Sequence, residues 1–308
     1  MTGGLGYVGA RFAELVAMQP DYQLTLTTRK APPDISGFEV VRLDPADGAA
    51  LTQACHSVDT VIQLAGMNAA QSNAAPAAAE TGRISTTRAL LAAAVRCGVR
   101  RVIHVSTVHV YGRSLAGIVV EEAPLDPMNA YAHSHIAAES LVRSADAAGE
   151  IEGIVARLSN SFGAPAYPSP ECWALATNAL CRQAAVTGNL VLQTRGTQKR
   201  DFVPMVEACR ALLHLATAPR ELVNQSVYNV GSGRAISLLD QARHIADAVM
   251  AQSGRAPQIV IGDRPDAAPG ELVELSIGRL HSSGFEPDAA AGPLELQRLA
   301  RHCLQEGA

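Results

Sequence analysis

Three glycines at the start of the chain, Gly3, Gly6 and Gly9 in TGGLGYVG, have the spacing of a backbone turn that holds a pyrophosphate. Each has its own physical job: Gly3 makes the tight turn, Gly6 lets backbone approach the phosphates, and Gly9 lets the following helix pack closely. A helix is expected from Ala10 to Met18, because Ala10, Phe12, Ala13, Leu15, Val16 and Ala17 fall mainly on apolar faces. Free amides and the dipole at the helix start would meet the anion at Gly6, Tyr7 and Val8. A second signal ends the next apolar run, where Thr28, Arg29 and Lys30 come in succession with no carboxylate among them. A dinucleotide with a free ribose 2′-hydroxyl is met there by Asp or Glu, and a 2′-phosphate by arginine. These residues therefore favour NADP(H) over NAD(H), with solvated surface charge as the plain alternative.

Such a turn must be held by a strand, and about four to six apolar residues should precede it. The one apolar residue there is Met1, so a start placed too late or a shortened chain is expected. Downstream, apolar runs at Gln23 to Thr28, Phe38 to Leu43, Asp59 to Leu64, Arg101 to Ser106 and Ile151 to Leu158 have strand character, with helical patterns between them. Regular alternation implies right-handed crossovers and an α/β fold, a doubly wound parallel sheet of Rossmann type whose first strand is truncated. From about Gly163 the pattern loosens around Pro165, Pro168 and Pro170; a strand is expected at Tyr228 to Val230, and Pro265, Pro269 and Pro287 interrupt the C-terminal part. The expected division is a dinucleotide-binding domain over 1–163, with 201–232 returning to the sheet, and a smaller substrate lobe over 164–308. The alanine-rich stretch Ala69 to Ala79, broken by Gln71, Asn73 and Pro76, suggests a surface loop.

Composition narrows the setting. A chain of 308 residues with 48% hydrophobic and 18% charged residues can bury a sizeable core. A net charge of -4 without a basic run argues against nucleic acid or an anionic membrane as partner, so any anionic ligand must be met locally. Cys55, Cys97, Cys172, Cys181, Cys209 and Cys303 are scattered without C-x-x-C pairs, which suits free thiols in the cytoplasm better than disulfides or a metal site. Neither a signal peptide nor a long apolar run stands out.

TGGLGYVG, VDTVIQLAG ending at Gly66, STVHVYG at 106–112, YAHSHIAAE at Tyr131, RLSNSFG at 157–163, RDFV at 200–203, YNVGSG at 228–233 and HSSGFEP near the end occur in a recognisable order. Together they resemble the extended short-chain dehydrogenase/reductases, specifically the nucleotide-sugar epimerase/dehydratase family, over nearly the whole chain. The resemblance implies a nicotinamide cofactor that exchanges hydride with a sugar carbon, most often C4. It implies Tyr131 as the acid/base, Thr107 as the hydroxyl that orients the reacting oxygen, and position 135 as the ribose-facing partner. It adds Leu64, Ala65 and Gly66 to the cofactor site, with Asp44 for the adenine amino group, although Asp44 or Asp47 would also suit a helix cap. For the nucleotide diphosphate it points to Asn160, Arg200 and Arg264, whose guanidiniums and amide suit phosphate oxygens; Arg200 beside Asp201 has a local ion pair as its alternative. Trp173 falls where the nucleotide base would be covered, or in the core. A homodimer joined through helices near 83–97 and 130–147 is also implied, with Ile136, Ala137, Leu141 and Val142 available for contact.

The departures from that pattern carry as much information. Where relatives have lysine, this chain has His135. A lysine ammonium about 6 Å from the phenol is worth roughly 3 kcal/mol, or about two pKa units, at an effective dielectric near 20. Neutral histidine supplies no such attraction, though it can hydrogen-bond a ribose hydroxyl and, if protonated, would replace part of the charge. Arg83 stands where relatives often carry asparagine, before a helix expected from Ile84 to Arg96. The acidic pair that 4,6-dehydratases place after the threonine is Val108 and His109 here, which disfavours dehydration; His109 is expected to act on substrate or to be a half-buried structural residue, and His133 to point elsewhere. The resulting expectation is an NADP(H)-preferring epimerase or 4-ketoreductase. The alternative is an NADP(H)-binding protein of the same fold whose catalysis is weak or lost because His135 replaces lysine.

Overall fold

The computed structural model describes residues 1–29, 37–112, 117–167, 170–265 and 273–306; Lys30, Pro168 and Pro269 lie outside them. The glycine turn runs straight into α1 (Tyr7–Val16), three residues before the apolar pattern suggests. β1 (Thr25–Thr28), β2 (Glu39–Arg42), α2 (Gly48–Cys55), β3 (Thr60–Gln63), α3 (Ala69–Ala74), α4 (Pro76–Cys97) and β4 (Arg101–Thr107) follow. A 3-10 turn at Val108–Tyr111 leads to β5 (Gly117–Val119), α5 (Ala130–Ala147), β6 (Glu152–Leu158) and β7 (Asn160–Phe162). The remainder comprises α6 (Ala176–Thr187), β8 (Asn189–Thr194), β9 (Lys199–Pro204), α7 (Met205–Thr217), β10 (Val227–Val230), β11 (Ala235–Ser237), α8 (Leu238–Ser253), β12 (Gln258–Arg264), β13 (Val273–Leu275), α9 (Gly278–Ser282) and α10 (Ala291–Glu306).

Every expected strand is present, and β1 with β2, and β3 with β4, β6 and β10, pair in parallel. Consecutive residues of these strands face opposite ways, so each strand feeds two cores. Ile62, Ile103 and Ile154 pack with Phe12 and Val16 of α1 and Leu212 and Leu215 of α7. Val61, Val102 and Val155 pack on the other face with Leu51, Leu90, Ala94 and Val142 from α2, α4 and α5. Val142 is fully buried in this core, which corrects its assignment to a subunit contact.

Between β1 and β3 lies a slot one strand wide, occupied by Met1 and Thr2. Thr2 bridges Thr27 on one side and Gln63 on the other. The Met1 nitrogen donates to the Thr25 carbonyl at 2.7 Å. Gly3 then turns with φ +68°, a conformation open to glycine, where a Cβ would lie 2.8 Å from the Ala65 amide nitrogen. The glycine turn is thereby pressed against the end of β3.

The alanine-rich stretch is helical, not a loop. Asn68 and Gln71 form a capping box that starts α3, and Pro76 occupies the first turn of α4, where its missing N–H is no loss. Arg83 consequently lies inside α4 and not before its start. Beyond the sheet, β7, β9 and β11 form a small mixed sheet and β8 pairs with β12. These pack with α6, α8 and α10 on a third core of Leu190, Leu192, Phe202, Ile245 and Leu299. Arg11 of α1 donates to both carboxylate oxygens of Glu295 in α10, at 2.6 and 2.8 Å, which ties the first helix to the last.

Candidate active site

In a parallel sheet the strand ends that point toward the helix starts share one edge, and loops there converge on ligands. The in-register bridges of Thr2 to Thr27 and Gln63 put the Gly3 turn, Thr28, Arg29 and Leu64 to Gly66 on that edge. Gly6 is exposed and precedes the first turn of α1, whose Val8 is half-buried. Tyr7 turns its side chain inward, donating to the Gly163 carbonyl at 2.7 Å, so only its backbone is available to a ligand. The Leu43 amide donates to the Thr28 carbonyl at 2.8 Å, which brings Asp44 beside Thr28 and exposed Arg29. Asp47, not Asp44, caps α2; Asp44 accepts from the Ala46 amide at 2.9 Å in a local turn.

Thr107 ends β4, and its Oγ1 accepts from the His109 amide at 3.2 Å. Tyr131 lies in the first turn of α5, which packs on β4 and on the 3-10 turn after it. Its ring meets His135 edge-on, with centroids 4.6 Å apart. His135 is linked through Nδ1 to Nε2 of His104 at 3.1 Å, and His104 Nδ1 to Gln63 Oε1 at 3.1 Å. Gln63 in turn donates from Nε2 to Thr87 Oγ1 at 3.0 Å. Burial pulls His104 down to about 3, and burial with the nearby Arg83 charge holds His135 well below the usual imidazole range. Both rings are therefore neutral at pH 7, the form of His135 that supplies no attraction to the phenol.

Neutrality fixes the direction of the chain. With Gln63 Oε1 accepting from Nδ1–H of His104, His104 Nε2 accepts from Nδ1–H of His135, and His135 Nε2 is left with a lone pair. That Nε2 is buried and has no hydrogen-bond partner among the described residues. An acceptor left open beside Tyr131 fits a ribose hydroxyl, and the open turn at Gly3 to Gly9 fits a pyrophosphate, so the residues present suit a dinucleotide.

Arg83 enters from α4. Its Nε donates to Ser134 Oγ at 3.0 Å and its Nη2 to the Met67 carbonyl at 3.2 Å. A Cβ at Gly66 would lie 2.6 Å from both terminal guanidinium nitrogens, so the group sits directly under that exposed glycine. Burial pushes the Tyr131 phenol above its ordinary value, and Arg83 opposes that rise. Sequence reasoning missed Ser134, Gln63 and His104. The signal was present, because Gln63 and His104 interrupt two apolar strands at positions that pair in register.

Asn160 and Arg200 are brought together: Asn160 Nδ2 donates to the Asp201 carbonyl at 2.9 Å, and Arg200 is exposed on β9 with Nη2 on Gln198 Oε1 at 3.1 Å. The Asp201 carboxylate is buried and accepts from the amides of Ser232 and Arg234 and from the Ser232 hydroxyl. Arg264 is exposed at the end of β12, paired with Thr194 of β8. Trp173 is stacked on His302 with Arg182 over its ring, a packing role between α6 and α10. His109 is exposed rather than half-buried, and His133 is exposed as expected. All six cysteines are free. No helix among the described residues is long and apolar enough to cross a membrane.

The chain is 32% identical over 303 residues to the dTDP-6-deoxy-L-talose 4-dehydrogenase (NAD(P)(+)) of Kitasatospora kifunensis, covering 93% of this chain and 90% of that protein. Its fold matches the UDP-N-acetylglucosamine 4-epimerase of Methanobrevibacter ruminantium with a TM-score of 0.81 at 22% identity, over 99% and 97% of the two chains. It matches the UDP-glucuronic acid 4-epimerase of Bacillus cereus, solved with NAD, with a TM-score of 0.81 at 20% identity, over 100% and 97%. Residues 1–231 match the model of the NAD dependent epimerase/dehydratase family, and the chain belongs to that family.

Proposed function

We propose that the protein is an NADP(H)-preferring nucleotide-sugar oxidoreductase that works at the sugar C4 as a 4-ketoreductase. Gly3, Gly6 and Gly9, with the backbone of Tyr7 and Val8, hold the pyrophosphate, and Leu64 to Gly66 line the same edge. Thr28 and Arg29 receive the 2′-phosphate side, together with Lys30, and Asp44 receives the adenine. The buried lone pair of His135 Nε2 accepts from a ribose hydroxyl. Asn160, Arg200 and Arg264 in the 164–308 lobe and its borders take the nucleotide diphosphate. The chain acts as a homodimer joined through α4 and α5.

When bound, the nicotinamide would give hydride to the sugar carbon in reduction and accept it in oxidation. Tyr131 gives a proton from its phenol to the developing alkoxide, and Thr107 holds the oxygen that receives it. Written in reverse, the hydroxyl proton returns to Tyr131 as the carbon becomes a ketone. What supports the reductase reading is the 32% identity over 303 residues to a dTDP-6-deoxy-L-talose 4-dehydrogenase, a protein named for net oxidation and reduction at C4.

The test uses the purified chain with dTDP-6-deoxy-L-talose and NADP+ or NAD+, and with the 4-ketone produced and NADPH or NADH. Net change at the nicotinamide absorbance band is expected, faster with the phosphorylated cofactor; interconversion of C4 epimers without net change would favour the epimerase. Tyr131→Phe should lower turnover by about 10²–10⁴-fold while cofactor still binds. Full turnover by that variant would remove Tyr131 from the reaction.

A further inference from the structure

We infer that Arg83 is the positioning cation of this active site: held beneath Gly66 and tied through Ser134 to the backbone of Tyr131, it gives the Tyr131 phenol the positive charge that position 135 lacks. The chain of contacts is short. Arg83 Nε donates to Ser134 Oγ, and Ser134 Oγ donates to the Tyr131 carbonyl at 2.8 Å. Met67 and Gly66, at the end of β3, fix the other end of the guanidinium. No carboxylate pairs with Arg83 among the described residues, although the group is only 6% exposed. Buried arginines elsewhere in the chain, Arg11 and Arg157, each hold a glutamate. An uncompensated buried cation is costly unless a developing negative charge or an anionic ligand uses it.

The other groups around Tyr131 do not compete for this role. From β4, His104 is neutral; on α5 itself, His135 is neutral and His133 exposed. His109 of the 3-10 turn and Glu80 of α4 are exposed, and α3 carries no titratable side chain. Arg157 of β6 is bound to Glu139 one turn beyond His135. Arg83 is thus the one buried charge facing Tyr131 among the described residues that no carboxylate cancels, and it lowers a phenol that burial raises.

The inference rests on the reading of Tyr131 as acid/base, and its first test needs no turnover. A fluorinated tyrosine, more acidic than tyrosine, is placed at position 131 and its titration followed by fluorine NMR in the free protein. Arg83→Gln should raise the midpoint by at least about one pH unit, and Arg83→Met, which leaves no polar group behind, should do the same if the glutamine variant does not fold. Arg83→Lys should hold most of the original midpoint. Alcohol oxidation at a fixed pH below the titration should fall about tenfold for each unit the midpoint rises. A midpoint unmoved in the folded neutral variants, or moved as far by lysine as by glutamine, overturns the role of Arg83. Turnover retained by Tyr131→Phe would instead overturn the acid/base reading, whatever the titration shows.

Discussion

Two successive stretches of α5 bury polar groups in opposite ways. At its start, Tyr131, Ser134 and His135 face the Arg83 guanidinium and the neutral imidazole of His104, and among the described residues no carboxylate pairs with Arg83 and nothing hydrogen-bonds His135 Nε2. One turn later Glu139 accepts from Arg157 Nη2 at 2.7 Å and from Ser106 Oγ at 2.5 Å. Arg157 Nη1 also donates to the Tyr111 oxygen at 2.9 Å and to the Glu121 carbonyl at 3.0 Å, and Tyr111 donates to Asn229 Oδ1 at 2.7 Å. The second network closes on itself, binding helix, strands and loop into one unit. The first stays open on the side of the cofactor edge. Buried polar groups that satisfy one another hold a fold together, whereas those left incomplete are held ready for something that binds.

The largest effect is expected in the closed network. Glu139→Ala would strand the Arg157 charge in the core and should lower unfolding free energy by about 3–5 kcal/mol, read from urea unfolding at pH 7. A loss below about 1 kcal/mol would mean that water or a rearranged neighbour can replace the carboxylate, and the contrast between the two stretches would collapse.

Acid should sharpen the contrast from the other side. Folded His104 stays neutral down to about 3, whereas in the unfolded chain it takes a proton near 6.5. The unfolded state therefore binds more protons in that window, and stability falls as pH drops below about 6.5. The contribution is about 1.4 kcal/mol per pH unit, or about 2 kcal/mol by pH 5. His104→Gln should remove about one proton from the slope of stability against pH between 5 and 7. An unchanged slope would place the proton uptake elsewhere, His135 included.

The parts of this site that could be read from the sequence were those set by local chemistry. Apolar runs made strands, and the glycine spacing made a tight turn at Gly3 whose φ of +68° few other residues adopt. Local chemistry was also legible but misjudged at Pro76, which marks a helix start as readily as a loop. What stayed hidden depends on residues far apart in the chain. Arg83 finds Met67 and Ser134 at separations of 16 and 51 residues, and His135 is held well below the usual imidazole range because the fold buries it near Arg83 and His104. Val142 has the type of a subunit contact, and only its packing under β6 assigns it to the core.

The smallest stability effect is expected where the chemistry is most sensitive. Replacing Arg83 with methionine loses two hydrogen bonds, to Ser134 and Met67, worth about 1 kcal/mol each. It also relieves the desolvation of a charge that no carboxylate offsets, a gain of similar size. The two oppose each other, so Arg83→Met should change unfolding free energy by no more than about 1 kcal/mol while it moves the Tyr131 titration. Glu139→Ala should do the reverse, with a large loss of stability and, in whatever fraction stays folded, a Tyr131 midpoint close to the original. If Arg83→Met instead unfolded the protein as readily as Glu139→Ala, its guanidinium would be a structural pin of α4 and α5. The charge under Gly66 would then be a consequence of packing rather than a provision for catalysis.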